Sequence, residues 1–190
     1  MSNVSNLSGP NLANLRVLFV DDNRHMIAIV KAILQGFGIR EITTLRDCED
    51  AVQVFNEMVP DIVILDYVME PVDGAAIART IRTSPTSANP FVPIIMLSAF
   101  ASPQRIATAR LAGINEFLVK PVVPADLYKK LLSVIYQPRS FVRTQTYFGP
   151  DRRRHKKDEF HGDDRRKEQS ELLDASKTKQ KKKVQPEAAA

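Results

Sequence analysis

The sequence contains a single cysteine, Cys48, and no apolar run that approaches the roughly 18 residues of a membrane-spanning helix. One cysteine excludes a framework of internal disulfides and is typical of a reducing cytoplasm, so we expect a cytoplasmic chain without a membrane span. Residues 1–13 are polar and lack the apolar core of a signal peptide, and we interpret them as a short disordered lead.

Basic charge is concentrated at the C-terminal end. Residues 1–137 hold 12 Lys and Arg against 13 Asp and Glu, whereas residues 138–190 hold 15 against 9. From residue 155 onward, charged residues dominate and large apolar ones almost vanish, so the segment cannot offset the entropy lost on ordering. Residues 138–190 are therefore predicted to be a basic, largely disordered tail that could meet an anion.

Between residues 14 and 137, apolar segments at strand spacing alternate with amphipathic segments at helical spacing. The predicted strands are 16–20, 41–45, 62–66, 92–98 and 116–119, and the predicted helices are 23–37, 47–58 (with Asp47 as N-cap), 74–83, 102–112 and 124–135. Such alternation implies a doubly wound α/β domain, with a parallel sheet and helices on both faces. Because crossovers are right-handed, we expect a flavodoxin-like, five-stranded sheet of order 2-1-3-4-5.

Polar side chains stand at the carboxyl ends of the predicted strands. Asp21 and Asp22 follow the first strand, Asp66 ends the third, Ser98 ends the fourth and Lys120 follows the fifth. In a doubly wound sheet these ends share one edge and the first and third strands are neighbours, so the three carboxylates should converge. Such groups repel one another and their pKa values would rise unless a cation neutralised them; their oxygens, with water or backbone carbonyls, suit Mg²⁺.

A metal ion beside a carboxylate, with a lysine on the other side, is an arrangement suited to phosphoryl transfer. The metal and the ammonium of Lys120 would hold the oxygens of the transferring group. Asp66 would be the nucleophile that forms an acyl phosphate. The hydroxyl of Ser98 could then donate a hydrogen bond to a phosphate oxygen.

The same residues form the motifs of a known family. Over residues 14–136 the chain resembles the receiver domain of two-component response regulators, in the motifs Val20-Asp21-Asp22, Asp66-x-x-Met69, Asp73-Gly74, Leu97-Ser98-Ala99 and Lys120-Pro121. No DNA-binding or catalytic output domain can be built from residues 138–190, so the resemblance is to a stand-alone, chemotaxis-type receiver. It implies a signalling protein rather than an enzyme, phosphorylated by a histidine kinase or a histidine phosphotransfer protein and acting by contact with a further protein.

The resemblance implies a role for each acidic residue of the site. Asp66 would be the phosphoacceptor, Asp22 a direct ligand of Mg²⁺ and Asp21 a ligand mostly through water. Val68 would be a further ligand through its backbone carbonyl. Glu70 stands where the family usually has proline, and we expect its side chain to point to solvent.

The remaining implied roles concern the response to phosphorylation. Ser98 and Phe117 would be the switch pair, Lys120 the phosphate-binding lysine, and the bond between Lys120 and Pro121 would be cis. Serine and phenylalanine replace the threonine and tyrosine that are commoner in the family, and they retain the hydroxyl and the ring. Nothing that phosphorylation requires is missing from the sequence.

Two other classes of protein place a related site at this edge of a sheet. A haloacid-dehalogenase-like phosphatase would need a second aspartate two residues after Asp66, where this chain has Val68. A flavodoxin would need a phosphate loop rich in serine, threonine or glycine after the first strand, where this chain has Asp21, Asp22 and Asn23. The sequence therefore disfavours both.

The tail places aromatic residues beside arginines, and this composition suits an anionic ligand. Such pairs can stack on bases and bind phosphates, and the segment resembles the arginine-rich extensions of some single-domain bacterial receivers, including a subgroup that binds cyclic di-GMP. The alternative is a basic linker in which Tyr147 and Phe148 pack back on the domain. The arginines that would bind cyclic di-GMP or nucleic acid are Arg143, Arg152, Arg153 and Arg154.

Overall fold

The computed structural model describes residues 11–152 and 171–173, and its larger part is the alternating unit that the sequence predicts. The strands are β1 (Arg16–Val20), β2 (Glu41–Leu45), β3 (Ile62–Asp66), β4 (Ile94–Ser98) and β5 (Glu116–Val119), and the helices are α1 (Arg24–Gly36), α2 (Ala51–Met58), α3 (Gly74–Thr83), α4 (Pro103–Leu111) and α5 (Pro124–Tyr136). The parallel sheet has the order β2-β1-β3-β4-β5, which confirms the predicted topology. In the described part, no helix has the length and apolar character needed to cross a membrane.

Helices cover both faces of this sheet, which explains the continuous apolar runs of its central strands. Every residue of β3 and of β4 is buried. Successive residues of β1 point to opposite faces: Leu18 belongs to the same cluster as Phe55 of α2 and Ile81 of α3, whereas Phe19 belongs to the cluster that contains Leu34 of α1. The core therefore consists of two layers, one on each side of the sheet.

The second helix starts later than the sequence suggests. It begins at Ala51, so the prediction of Asp47 as its N-cap is wrong. The Asp47 carboxylate instead accepts a hydrogen bond from the main-chain N–H two residues later, a local turn that competes with helix formation. The helices α1, α3 and α4 are capped by the side chains of Asn23, Asp73 and Ser102, which accept from main-chain N–H groups of the first turn.

A small antiparallel sheet follows α5 and was not expected from the sequence. It has the order β7-β6-β8, with β6 (Phe141–Arg143), β7 (Phe148–Pro150) and β8 (Glu171–Leu173). Three-residue strands are too short to show a hydrophobic period, which is why sequence patterns missed them. The C-terminal hairpin (residues 138–152) contains two of these strands, and Leu12 of the predicted lead is buried. Residues 1–10, 153–170 and 174–190, on which most of the predicted disorder falls, lie outside the described residues.

The C-terminal hairpin packs at the amino end of the parallel sheet, through a cluster of three aromatic rings. Phe141 and Phe148 are buried, and both meet the ring of Phe91 edge-on, at centroid distances of 5.1 and 5.3 Å. A Cβ on Gly149 would lie only 2.8 Å from Cα of Gly113, so the two main chains approach too closely for a side chain. Phe148 therefore packs back on the domain, as the basic-linker alternative predicts for this residue; the binding of an anion by the tail stays a prediction.

A buried arginine lies beneath the hairpin. The guanidinium of Arg82, in the last turn of α3, donates to the carbonyls of Gly113 and Pro90 and to Oδ1 of Asn115. Its Cζ lies 5.1 Å from the ring centroid of Phe141. Burial lowers the pKa of Arg82 to about 9, so the group remains charged at neutral pH. Arg82 therefore joins α3, the amino ends of β4 and β5, and the C-terminal hairpin.

Candidate functional site

The strand order brings the predicted acids together at the carboxyl edge of the parallel sheet. In the neighbouring strands β1 and β3, Val20 pairs with Leu65, so the residues that follow, Asp21 and Asp66, lie side by side. Asp21 is fully buried, Asp66 is 6% exposed, and Asp22 is exposed. One carboxylate oxygen from each of the three lies within 4.8 Å of the others. This all-oxygen donor set fits Mg²⁺.

The loop after β3 requires a glycine where α3 begins. A Cβ at Gly74 would collide with the main-chain oxygen of Asp66. The N–H of Gly74 donates to the carbonyl of Tyr67 at 3.1 Å, and Asp73 caps the helix from the preceding position. The Asp-Gly pair therefore folds the loop back onto Asp66. The loop carries Val68, whose role as a carbonyl ligand stays a prediction.

Lys120 reaches the acidic cluster from the end of β5. Its Nζ lies 2.8 Å from Oδ2 of Asp21 and 2.9 Å from Oδ1 of Asp66. The main-chain N–H of Lys120 donates to the carbonyl of Ser98, which fixes the end of β5 against β4. Lys120 therefore lies in contact with Asp21 and Asp66, as the sequence predicts. Within residues 11–152, two peptide bonds are cis, the predicted one at Lys120–Pro121 and an unpredicted one at Glu70–Pro71.

Burial dominates the electrostatics of this cluster. It raises the pKa of Asp66 above the usual 3.8, and the hydrogen bond and charge of Lys120 reduce this shift without cancelling it. Burial alone would lower the pKa of Lys120, but its hydrogen bonds and charge interactions with Asp66 and Asp21 outweigh that effect and raise it. The cluster therefore stabilises the charged form of Lys120, whereas burial destabilises the charged form of Asp66.

These shifts determine how the stability of the metal-free protein depends on pH. Because the pKa of Asp66 is raised on folding, its contribution to stability is full below 3.8 and is lost as the pH rises through the folded pKa. The contribution of Lys120 is full below 10.5 and is lost only as the pH rises through its own raised pKa. Above its folded pKa, ionised Asp66 therefore destabilises the metal-free protein relative to the protonated form.

The predicted switch residues lie on adjacent strands. Ser98 is fully buried at the end of β4, and its hydroxyl donates to the main-chain carbonyl of Phe100 at 2.9 Å. Phe117 lies on β5, pairs with Met96 of β4 and is partly buried against the core. Their action as a pair stays a prediction.

The predicted arginines of the tail are not brought to this site, because the hairpin packs at the opposite end of the sheet. Arg143 and Arg152 lie there, each over an aromatic ring. Arg153 and Arg154 lie outside the described residues. Sequence reasoning also missed Arg105, whose guanidinium lies over the ring of Tyr67, the residue after Asp66. A ring contact between distant residues leaves no local pattern in the sequence.

Asp22→Ala is expected to weaken Mg²⁺ binding strongly, yet to change the free energy of unfolding by less than about 0.5 kcal/mol because the side chain is exposed. Asp21→Ala is the matched comparison. It removes a buried carboxylate that binds Lys120 and accepts the N–H of Asn23, so unfolding should become easier by about 1–3 kcal/mol. Calorimetric Mg²⁺ titration and urea unfolding measure the two effects, and equal destabilisation by both variants would contradict this assignment.

The alternating domain is similar to known proteins over most of its length. The family model of the response regulator receiver domain matches residues 17–132, a region that ends before the C-terminal hairpin. The chain is 30% identical over 118 residues to chemotaxis protein CheY-3 of Vibrio cholerae, which covers 62% of this chain and 89% of that protein.

Two further comparisons agree on the region. Probable transcriptional regulator ycf27 of Guillardia theta is 32% identical over 120 residues, which cover 63% of this chain and 45% of ycf27. The chain therefore spans about half the length of the ycf27 regulators it matches. The structure of Vibrio cholerae chemotaxis protein CheY4 superposes with a TM-score of 0.58 at 30% identity, covering 64% of this chain and 98% of that one.

Proposed function

We propose, from the premise that this chain belongs to the response regulator receiver domain family, that it is a phosphorylation-switched component of a two-component pathway. Receiver domains are signalling modules rather than classical enzymes. A histidine kinase or a histidine phosphotransfer protein would phosphorylate Asp66, and the phosphorylated chain would signal by contact with a target protein. The observation that carries this proposal is the buried contact of Lys120 with both Asp21 and Asp66. A cytoplasmic location stays a prediction.

The chemistry follows from the position of the Asp66 carboxylate. One of its oxygens attacks the phosphorus of a phosphohistidine, a P–O bond forms, the P–N bond breaks and the imidazole leaves. Lys120 holds its charge within 2.9 Å of the nucleophilic carboxylate, and its ammonium can follow the phosphoryl oxygens. Mg²⁺, when held by Asp21, Asp22 and Asp66, would neutralise charge on those oxygens.

The switch begins at Ser98. Its hydroxyl donates to the carbonyl of Phe100 in this structure, and we infer that it moves to a phosphoryl oxygen once Asp66 is modified. A charge-assisted hydrogen bond contributes about 1.5–3 kcal/mol, which changes a two-state population roughly ten- to hundredfold. The movement of Ser98 frees space beside β4 for the ring of Phe117.

We expect the target protein to bind in a groove beside Phe117, where the position of the Phe117 ring affects binding. The groove lies between β5 and α5, has a volume of about 960 Å³ and includes Phe117 in its wall. Val119 and Val123 line it and are 43% and 47% exposed. A turn of the Phe117 ring would therefore alter both the shape and the apolar area that a partner protein meets.

Beryllofluoride with Mg²⁺, which mimics a phosphoryl group on a carboxylate, tests the proposal by NMR. Wild-type protein should bind it and shift the Phe117 resonances. Ser98→Ala should bind it with a much smaller Phe117 shift, because the hydroxyl that links the two sites is absent. Lys120→Ala should lose the response more completely, and Ser140→Ala, in an exposed position of the hairpin, is the control that should behave as wild type. Equal shifts in Ser98→Ala and wild type would refute the coupling.

A second candidate function, anion binding, is favoured by the stacked arginines of the C-terminal hairpin. Cζ of Arg143 lies 4.3 Å from the ring centroid of Phe148, and Cζ of Arg152 lies 4.2 Å from that of Tyr147. A cation–π contact restrains each guanidinium, and its N–H groups can bind phosphate oxygens. Calorimetry with cyclic di-GMP, and mobility shifts with nucleic acid across salt concentrations, should detect binding that Arg143→Ala abolishes. Binding unaffected by Arg143→Ala would exclude this surface.

A further inference from the structure

Arg105 lies at the start of α4, the end of a helix at which a positive charge is least favourable. The N–H groups of a first turn form the positive end of the helix, and this turn of α4 contains no acidic residue. The side chain is half-buried between two rings, with Cζ 5.6 Å from the centroid of Tyr67 and 5.3 Å from that of Phe100. Cation–π contacts therefore hold the guanidinium in place.

Both rings belong to residues beside the proposed phosphorylation site. Tyr67 follows Asp66 directly. The main-chain carbonyl of Phe100 accepts the hydroxyl of Ser98, the group that is proposed to sense the phosphoryl group. Arg105 therefore contacts Tyr67, which is next to the proposed phosphoacceptor, and Phe100, whose carbonyl binds the Ser98 hydroxyl in this structure.

One donor atom of Arg105 has no hydrogen-bond partner in the described part of the chain. Among the described residues, none forms a hydrogen bond with its Nη1, although this atom is buried. Buried donors in folded proteins nearly always have an acceptor, because an unpaired one loses its hydration without compensation. A donor that is unpaired in the resting state points to an acceptor that becomes available in another state.

We propose that Arg105 is a positioning residue of the switch, whose Nη1–H binds the carbonyl of Phe100 when the hydroxyl of Ser98 leaves it. After this exchange, Nη1 of Arg105 has an acceptor, and the carbonyl of Phe100 regains a donor. The exchange therefore favours the phosphorylated state and couples it to the start of α4. This inference rests on the proposed function.

Calorimetry with beryllofluoride at saturating Mg²⁺ tests the proposal on the full-length chain. Arg105→Met removes the donor and keeps the length of the side chain, so it should weaken beryllofluoride binding about tenfold. Binding of Mg²⁺ alone and the melting temperature should remain close to wild type. Arg110→Met is the matched control, because Arg110 is exposed on the same helix and should leave beryllofluoride binding unchanged. Arg105→Leu repeats the test if methionine perturbs α4.

A double-mutant cycle separates this exchange from a purely structural role. In a Ser98→Ala background the carbonyl of Phe100 is released in both states, so Arg105→Met should no longer change beryllofluoride affinity. A tenfold loss that persists in this background, or a wild-type affinity in Arg105→Met alone, overturns the inference and leaves the proposed function intact. Failure of the wild-type protein to bind beryllofluoride overturns the proposed function, and the inference with it.

Discussion

Asp66→Asn should abolish phosphorylation completely. Incubation of the wild-type protein with acetyl phosphate and Mg²⁺ is expected to add the mass of one phosphoryl group, and the variant should gain none. The amide nitrogen of asparagine delocalises its lone pair, so neither side-chain atom is a nucleophile comparable with a carboxylate. The variant should still fold, because asparagine has the same shape and Lys120 keeps its 2.8 Å contact with Asp21.

Intact mass spectrometry provides the measurement, and two controls make it specific. Asp126→Asn, an exposed acid of α5, should gain mass as the wild type does. EDTA should prevent the gain in all proteins, since without a cation the acidic cluster repels the phosphodonor. Undiminished gain in Asp66→Asn would show that another residue accepts the phosphoryl group.

Phe148→Ala should destabilise the protein by about 3–5 kcal/mol, the usual cost of truncating a buried phenylalanine. Phe148 lies beyond residue 132, where the match to the receiver family ends, yet its ring packs on Phe91 and Phe141. Its loss would leave a cavity beside the rings of Phe91 and Phe141. Urea unfolding monitored by circular dichroism measures the change.

Gln145→Ala, in the exposed turn of the same hairpin, is the matched control and should alter the free energy of unfolding by less than about 0.5 kcal/mol. A truncation after residue 137 should destabilise the chain at least as much as Phe148→Ala does. If Phe148→Ala costs no more than Gln145→Ala, the C-terminal hairpin is not part of the folding unit.

The acidic site could be predicted because its geometry follows from topology. Parallel strands place their carboxyl ends at one edge, so Asp21, Asp66 and Lys120 had to approach one another once the strand order was inferred. The carboxylates and the lysine at this edge then indicated phosphoryl transfer as the reaction. The strand order itself followed from the alternation of apolar strands with amphipathic helices and from the right-handedness of crossovers.

The C-terminal hairpin could not be predicted in the same way. Its strands have three residues each, and its stability comes from contacts with residues far along the chain, such as Phe91 and Arg82. The close approach of Gly149 to Gly113 is likewise visible only in three dimensions. The contacts of Arg105 could not be predicted for the same reason, because ring contacts require no fixed spacing in the sequence. The start of α2 was misplaced because Asp47 suits a local turn as well as a cap.

Borohydride trapping tests the central claim, that Asp66 is the phosphoacceptor, most directly. Borohydride reduces an aspartyl phosphate to homoserine and leaves free carboxylates unchanged, so peptide mapping reveals which acid carried the phosphoryl group. After treatment with acetyl phosphate and Mg²⁺, we expect homoserine at position 66 alone. Homoserine at position 21 or 22, or none at any position in protein that has gained phosphoryl mass, would contradict the assignment of Asp66 as the phosphoacceptor.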